Sequence, residues 1–195
     1  MDVFTNDITA FVVAGGKSSR MGYDKGLTNV GNSSLIQLAV NLLKALTNKV
    51  FILAPTEKYK NIGVPRIPDK VPSRGPLSAL YTGLVSSRTR TNLFLACDMP
   101  QMQLEFISYL VEQSSQHDAV LMRFEDGKIE PLCAIYNKSC FSILKSNFER
   151  NQYKLSNLLD QLKVAYISEK DLYYLGLDRS IFTNINTPAD LDYLS

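Results

Sequence analysis

The sequence predicts an α/β fold, a single three-layer domain built around a mostly parallel sheet. Three observations lead there. Short apolar runs alternate with segments of helical period along the chain, the pattern of a sheet covered on both faces by helices. A loop rich in glycine and cations follows the first apolar run directly, and a lone aspartate, Asp98, follows a later one. Both lie where such sheets place ligands, at the carboxyl ends of strands near a switch in strand order.

Residues 8–14 read as the first strand. Leu35, Ala39, Leu42, Leu43 and Leu46 then recur at helical spacing, with Ser33 or Ser34 as N-cap. Val50 to Ala54 is a second strand, closed by Pro55, and Val64 to Ile67 a short third. Leu77, Leu80, Tyr81 and Leu84 mark a helix that starts at Pro76, since proline suits a first helical turn. Asn92 to Cys97 is a strand ending at Asp98; Ile107, Leu110 and Val111 line the next helix, and Ala119 to Met122 begins another strand. Residues 124–130 are polar and read as a hairpin or loop before a strand at Leu132 to Tyr136. Helices follow around 139–149 and 155–162, then a strand at Val164 to Ile167; residues 168–183 give no clear period. Thr187-Pro188-Ala189-Asp190 has the form of a capped helix start.

At 195 residues the chain suffices for one domain with a sizeable core. The whole of 1–195 is therefore taken as one unit. Its 21 basic and 19 acidic residues nearly balance, which argues against nucleic-acid or membrane-surface binding as the main activity. Cys97, Cys133 and Cys140 show neither a Cys-x-x-Cys spacing nor an even count. They read as reduced thiols of a cytoplasmic protein. Residues 1–7 lack the basic and apolar regions of a signal peptide, and no apolar run approaches the ~18 residues of a membrane span.

The chemistry concentrates in residues 13–27, which hold four glycines and the cations Lys17, Arg20 and Lys25. Backbone N–H groups freed by glycine can converge on an anion, and cations match several phosphates. Two common cradles are excluded by spacing. A P-loop needs a glycine five residues before Gly16-Lys17-Ser18, where Phe11 stands, and a dinucleotide fingerprint needs glycines where Lys17 and Arg20 stand. In Cys97-Asp98-Met99-Pro100 the proline forces a turn and fixes one carboxylate beyond a strand. Such a group suits Mg²⁺, which takes one or two protein oxygens plus substrate phosphates. Gly75-Pro76 exposes a helix N-terminus after Asp69, and Asn184 and Asn186 offer two amides that either touch a ligand or order a turn. His117, the only histidine, has no triad or metal partners nearby in the sequence and reads as a surface residue.

Together these segments resemble the molybdopterin nucleotidyltransferase family that includes the molybdenum cofactor guanylyltransferases. The family pattern Leu-Ala-Gly-Gly-x-Ser-x-Arg-Met-Gly-x-Asp-Lys is met at Ala14, Gly15, Gly16, Ser18, Arg20, Met21, Gly22, Asp24 and Lys25, with Val13 for Leu. Further matches follow in order at Asp69 with Gly75-Pro76-Leu77, at Cys97-Asp98-Met99-Pro100, at Pro131-Leu132 and at Asn184-Ile185-Asn186-Thr187-Pro188. The resemblance implies a Rossmann-like nucleotidyltransferase domain that transfers GMP from GTP to the molybdopterin cofactor and releases pyrophosphate. It implies Lys25, Arg20 and Asp98 as catalytic groups, with Asp98 holding Mg²⁺. Nucleotide binding falls to Val13, Ala14, Gly15, Gly16, Lys17, Lys25, Asp69, Gly75 and Asp98. The N-terminal half is then nucleotide-binding and the C-terminal half pterin-binding, with Lys154, Asn184, Asn186 and the 124–136 region as candidates for the pterin. Proteins that make or insert the cofactor are implied partners; nucleic acid and membrane are not.

Gly15 bears on base choice: cytidylyl relatives have Ala-Ala-Gly where this chain has Ala14-Gly15-Gly16, and Asp where it has Asn186. One departure stands out, because the family often places Asn after the second strand and this chain has Leu53-Ala54-Pro55. A sugar-1-phosphate or cytidylyl transferase, and a GTP-binding module that never transfers, remain the alternatives.

Overall fold

A computed structural model describes residues 7–15, 25–54, 59–185 and 190. The chain begins with β1 (Ile8–Val13), a 3₁₀ turn (Lys25–Leu27) and a small hairpin of β2 (Asn29–Val30) and β3 (Ser33–Ser34). Then come α1 (Leu35–Lys44), β4 (Val50–Leu53), β5 (Arg66–Ile67), α2 (Pro76–Ser86), β6 (Thr91–Ala96) and α3 (Leu104–Gln113). The second half runs β7 (Ala119–Arg123), β8 (Ile129–Asn137), α4 (Cys140–Glu149), α5 (Leu155–Leu159), β9 (Val164–Ile167) and α6 (Glu169–Tyr174).

Seven strands form one sheet in the order β5-β4-β1-β6-β8-β7-β9. The first four pair in parallel, β8 lies antiparallel between β6 and β7, and β9 returns parallel to β7. The predicted mostly parallel α/β sheet is what forms. β1 is apolar on both sides, Ile-Thr-Ala-Phe-Val-Val, because helices cover both faces. Ile8, Ala10 and Val12 meet α1 and α3 on one face, where Leu172 of α6 also lies. Phe11 and Phe94 stack at 5.1 Å on the other, against α2, with α4 and α5 beyond. Gly83 lets α2 lie flat there, since a Cβ at that position would come within 2.5 Å of the Phe94 ring. Each fully buried side chain of this kind contributes roughly 1.5–3 kcal/mol. Among the described residues no helix is long and apolar enough to cross a membrane.

Several boundaries differ from the sequence reading. β8 starts at Ile129, earlier than Leu132, because the strand carries a bulge: Leu121 pairs with Ala134, but Met122 pairs with Glu130. Pro131, which has no N–H to give, is accommodated in that irregularity. The polar hairpin thus contracts to its tip at Gly127, which takes φ 81°. α5 ends at Leu159 rather than running to 162, and β5 comprises only Arg66 and Ile67 of the predicted 64–67. Ser34 stands at the α1 N-cap without a side-chain hydrogen bond. The unreadable stretch 168–183 contains α6, opened by a reciprocal capping box between Ser168 and Asp171, and a 3₁₀ turn (Arg179–Phe182) capped by Asp178. The helix expected from residue 187 lies outside the described residues, apart from residue 190.

Candidate active site

The carboxyl ends of β1, β4 and β6 lie side by side and build the core of the site. The Ala14 N–H donates to the Leu53 carbonyl at 2.9 Å, and the Cys97 N–H donates to the Val13 carbonyl at 3.1 Å. Val13 and Ala14 are thereby held between two strands, and Gly15 emerges exposed at the rim. Gly16, Lys17 and Arg20 lie outside the described residues.

The chain returns at Lys25, the first residue of the 3₁₀ turn. Thr28 N–H closes the turn on the Lys25 carbonyl at 3.0 Å. Gly26 is required beneath the buried Tyr59, whose hydroxyl would lie 2.7 Å from a Cβ. This support aims the largely buried Lys25 at Asp98, just past β6, with Nζ 2.7 Å from Oδ2. Two residues 73 positions apart thus form one ion pair. The other carboxylate oxygen, Asp98 Oδ1, is buried and has no hydrogen-bond partner among the described residues. A buried acceptor left this way costs about 1–3 kcal/mol, which makes it a candidate contact for a cation or a donor. The Asp98 carbonyl accepts the Ile185 N–H at 2.9 Å, which brings the Asn184 segment to the same place.

Asp69 and Gly75 flank the site from the β5 side. Partial burial raises the Asp69 carboxyl above its ordinary value. Gly75 takes φ 67°, a left-handed conformation that opens α2, with nothing within 4 Å of where a Cβ would stand. Ser78 steadies this entrance: it accepts the Arg74 N–H at 2.6 Å and donates to the Pro72 carbonyl at 2.9 Å.

The C-terminal half adds a cavity of about 450 Å³ lined by residues that include Phe124, Lys128, Glu130, Arg179, Phe182 and Asn184. Phe124 and Phe182 meet edge to face at 5.2 Å, and the Arg179 guanidinium lies 4.3 Å from the Phe124 ring centre. Asn184 and the 124–130 segment therefore share one pocket, while Asn186 lies outside the described residues. Lys154 stands elsewhere. It is exposed at the start of α5, whose core contacts are on the α2 and α4 face, and the preceding Tyr153 ring lies under Arg74, 4.7 Å from its guanidinium carbon. Phe124 and Phe182 belong to the opposite face.

Glu130 was not singled out by its sequence context, a polar tip before Pro131. The β8 bulge places it in the cavity, where burial raises its carboxyl, the Leu132 N–H partly offsets this, and the Asp98 charge raises it further. It lies within the 124–136 region that the resemblance points to, beside the Pro131-Leu132 pair. His117, Cys140 and Cys133 are not set up as nucleophiles. His117 Nδ1 is bound to the Gln113 carbonyl at 3.0 Å, burial pushes the Cys140 thiol up to about 12, and Cys133 is raised by the same cause.

With this geometry in place, the comparisons with known proteins are specific. The MobA-like NTP transferase domain matches residues 10–165. A protein of Carboxydothermus hydrogenoformans named "Probable molybdenum cofactor guanylyltransferase" is 31% identical over 96% of this chain and 95% of its own length. The molybdenum cofactor guanylyltransferase of Syntrophotalea carbinolica is 32% identical over 94% of this chain and 89% of its own. In fold, the crystal structure of molybdopterin-guanine dinucleotide biosynthesis protein A from Archaeoglobus fulgidus superimposes with a TM-score of 0.77, at 22% identity over 95% of each chain.

Proposed function

The chain belongs to the MobA-like NTP transferase family, and from that premise we propose that it transfers GMP from GTP to the molybdopterin form of the molybdenum cofactor. The observation that carries the reading is the Lys25–Asp98 pair, set beside the exposed Gly15 and bearing one unpartnered buried oxygen. It is a charge arrangement made for phosphates and a cation, with the cavity of the C-terminal half adjoining it through Glu130 and Asn184.

The terminal phosphate of the pterin acts as nucleophile. A bond forms between its oxygen and the α-phosphorus of GTP, the bond from that phosphorus to the bridging oxygen breaks, and pyrophosphate leaves with the electron pair. The attacking phosphate is already ionised, so no protein base is needed. The Gly15 backbone leaves room for the base, while Lys25 neutralises charge on the triphosphate and on the departing pyrophosphate. Lys17 and Arg20 are assigned to the same task by residue type.

Mg²⁺ fits the donor set. Among the described residues no three His, Cys, Asp or Glu side chains converge on one point, so an ion at Asp98 Oδ1 would take the rest of its ligands from phosphates and water, as Mg²⁺ does. When bound, the ion screens the charge of the phosphate oxygens and orients them. Phe124, Phe182 and Arg179 offer flat and cationic surfaces for the acceptor, and Asn184 a hydrogen-bonding amide.

The test is release of pyrophosphate with molybdopterin-bound acceptor and Mg²⁺, comparing GTP, CTP and ATP. GTP-dependent release and formation of the dinucleotide are expected. Faster release with CTP would make the chain a cytidylyl transferase, and nucleotide binding without any release would make it a binding module.

A further inference from the structure

Glu130 is a carboxylate that the cavity of the C-terminal half leaves without a counter-ion. Its pairing with Met122 at the β8 bulge sets its backbone, and the half-buried residue lines the cavity with Phe124, Phe182 and Asn184. One oxygen, Oε1, accepts the Leu132 N–H at 2.9 Å. That bond fixes the orientation of the group and uses one of the about four lone-pair sites of a carboxylate. Among the described residues Glu130 has no other hydrogen bond and no ion pair.

The two cations that line the same cavity are engaged elsewhere. Arg179 holds Asp126 at 2.9 Å and Glu169 at 3.4 Å, and Lys128 Nζ lies 3.3 Å from Asp126. Lys25 faces Asp98. A carboxylate drawn out of water calls for hydrogen-bond donors. The Asp98 charge acts on Glu130 as well, so this wall of the cavity repels a further anion and accepts N–H groups. Phe124 and Phe182, edge to face at 5.2 Å, supply flat apolar surface beside it. Together these features select a planar ring with adjacent N–H donors along one edge. The 2-amino-4-oxopyrimidine ring of a pterin has that edge: its amino N–H and its N3–H lie side by side, as do the two N–H groups of a guanidinium that meets a carboxylate bidentately.

We propose that Glu130 recognises the pterin ring of the acceptor, accepting its 2-amino and N3 hydrogens. The proposal rests on the guanylyl-transfer reading and deepens it by naming the contact that identifies the acceptor. Its test is fluorescence titration of the full chain with 6-hydroxymethylpterin and with 6-hydroxymethyllumazine, whose 2-oxo group replaces the 2-amino donor by an acceptor. Wild type is expected to favour the pterin by about 10- to 150-fold, the range for a hydrogen bond to a charged group. Glu130→Gln keeps the shape and turns one acceptor into a donor, so it is expected to bring that ratio close to one, with GTP affinity in Mg²⁺ unchanged by calorimetry. If the ratio survives in Glu130→Gln, or if the variant loses GTP affinity instead, the carboxylate does not read the pterin and the assignment falls. The comparison of the two rings on wild type needs no variant, and equal or absent binding of both overturns the assignment even if Glu130→Gln does not fold. In each of these cases the guanylyl reading stands as long as wild type releases pyrophosphate from GTP with the molybdopterin-bound acceptor. Without that release both fall.

Discussion

The two halves of the sheet reach their functional ends by different routes. In β5-β4-β1-β6 all pairs are parallel and the strands finish at one edge, so Gly15, Lys25, Asp69 and Asp98 are gathered by topology alone. In β8-β7-β9 only β8 is reversed; β7 and β9 still finish at the same edge as the first four strands. There the chemistry is placed by an irregularity, the bulge that turns Glu130 into the cavity, and by a late turn that adds Arg179 and Asn184. Regular topology yields a site of backbone and charge. Irregular backbone yields a site of individual side chains.

This contrast can be broken, most sharply at Asp98. Asp98→Asn keeps the shape of the side chain and the backbone bond to Ile185 but removes the charge. Pyrophosphate release is expected to fall about 10²- to 10³-fold, the scale for losing one key electrostatic group, with the thermal transition little changed. Retained turnover would move the cation site away from the parallel edge.

A smaller effect is expected in the other half. Arg179→Ala should raise KM for the pterin acceptor several-fold and leave KM for GTP unchanged. A rise in KM for GTP instead would show that the halves do not divide the two substrates.

The smallest effect is a titration. Arg179 bonds Asp126 Oδ2 at 2.9 Å and holds that carboxyl down at about 2. Because the folded value lies below the ordinary one of 3.8, the favourable contribution is complete above that ordinary value and is lost as pH falls toward about 2. In Arg179→Ala the Asp126 carboxyl should titrate higher by NMR, though short of 3.8, because the Lys128 N–H still donates to Oδ1. An unmoved titration would mean that Arg179 does not govern the hairpin.

The same division explains what could be read in advance. The parallel half was legible because its strands are buried on both faces and its ligands follow their ends, so Lys25 and Asp98 stood out by type and position. In the second half, apolar runs located the strands, but period two says nothing about which neighbour a strand pairs with or in which direction. Ile129 and Glu130 read as part of a polar hairpin or loop, and the bulge that admits Pro131 into the strand is a property of the pairing with β7. Ser168 and Asp171 did carry a capping signal, but α6 is only six residues long and too short to show a period.

The hydrogen bond that the Ile185 N–H donates to the Asp98 carbonyl has a consequence for biosynthesis. A ribosome releases the glycine loop, Lys25 and Asp98 long before residue 185 leaves the exit tunnel. Until it does, the peptide that carries the essential carboxylate lacks its last backbone anchor. A nascent or prematurely terminated chain can therefore form the parallel edge and still hold Asp98 loosely, so competence arrives late in translation.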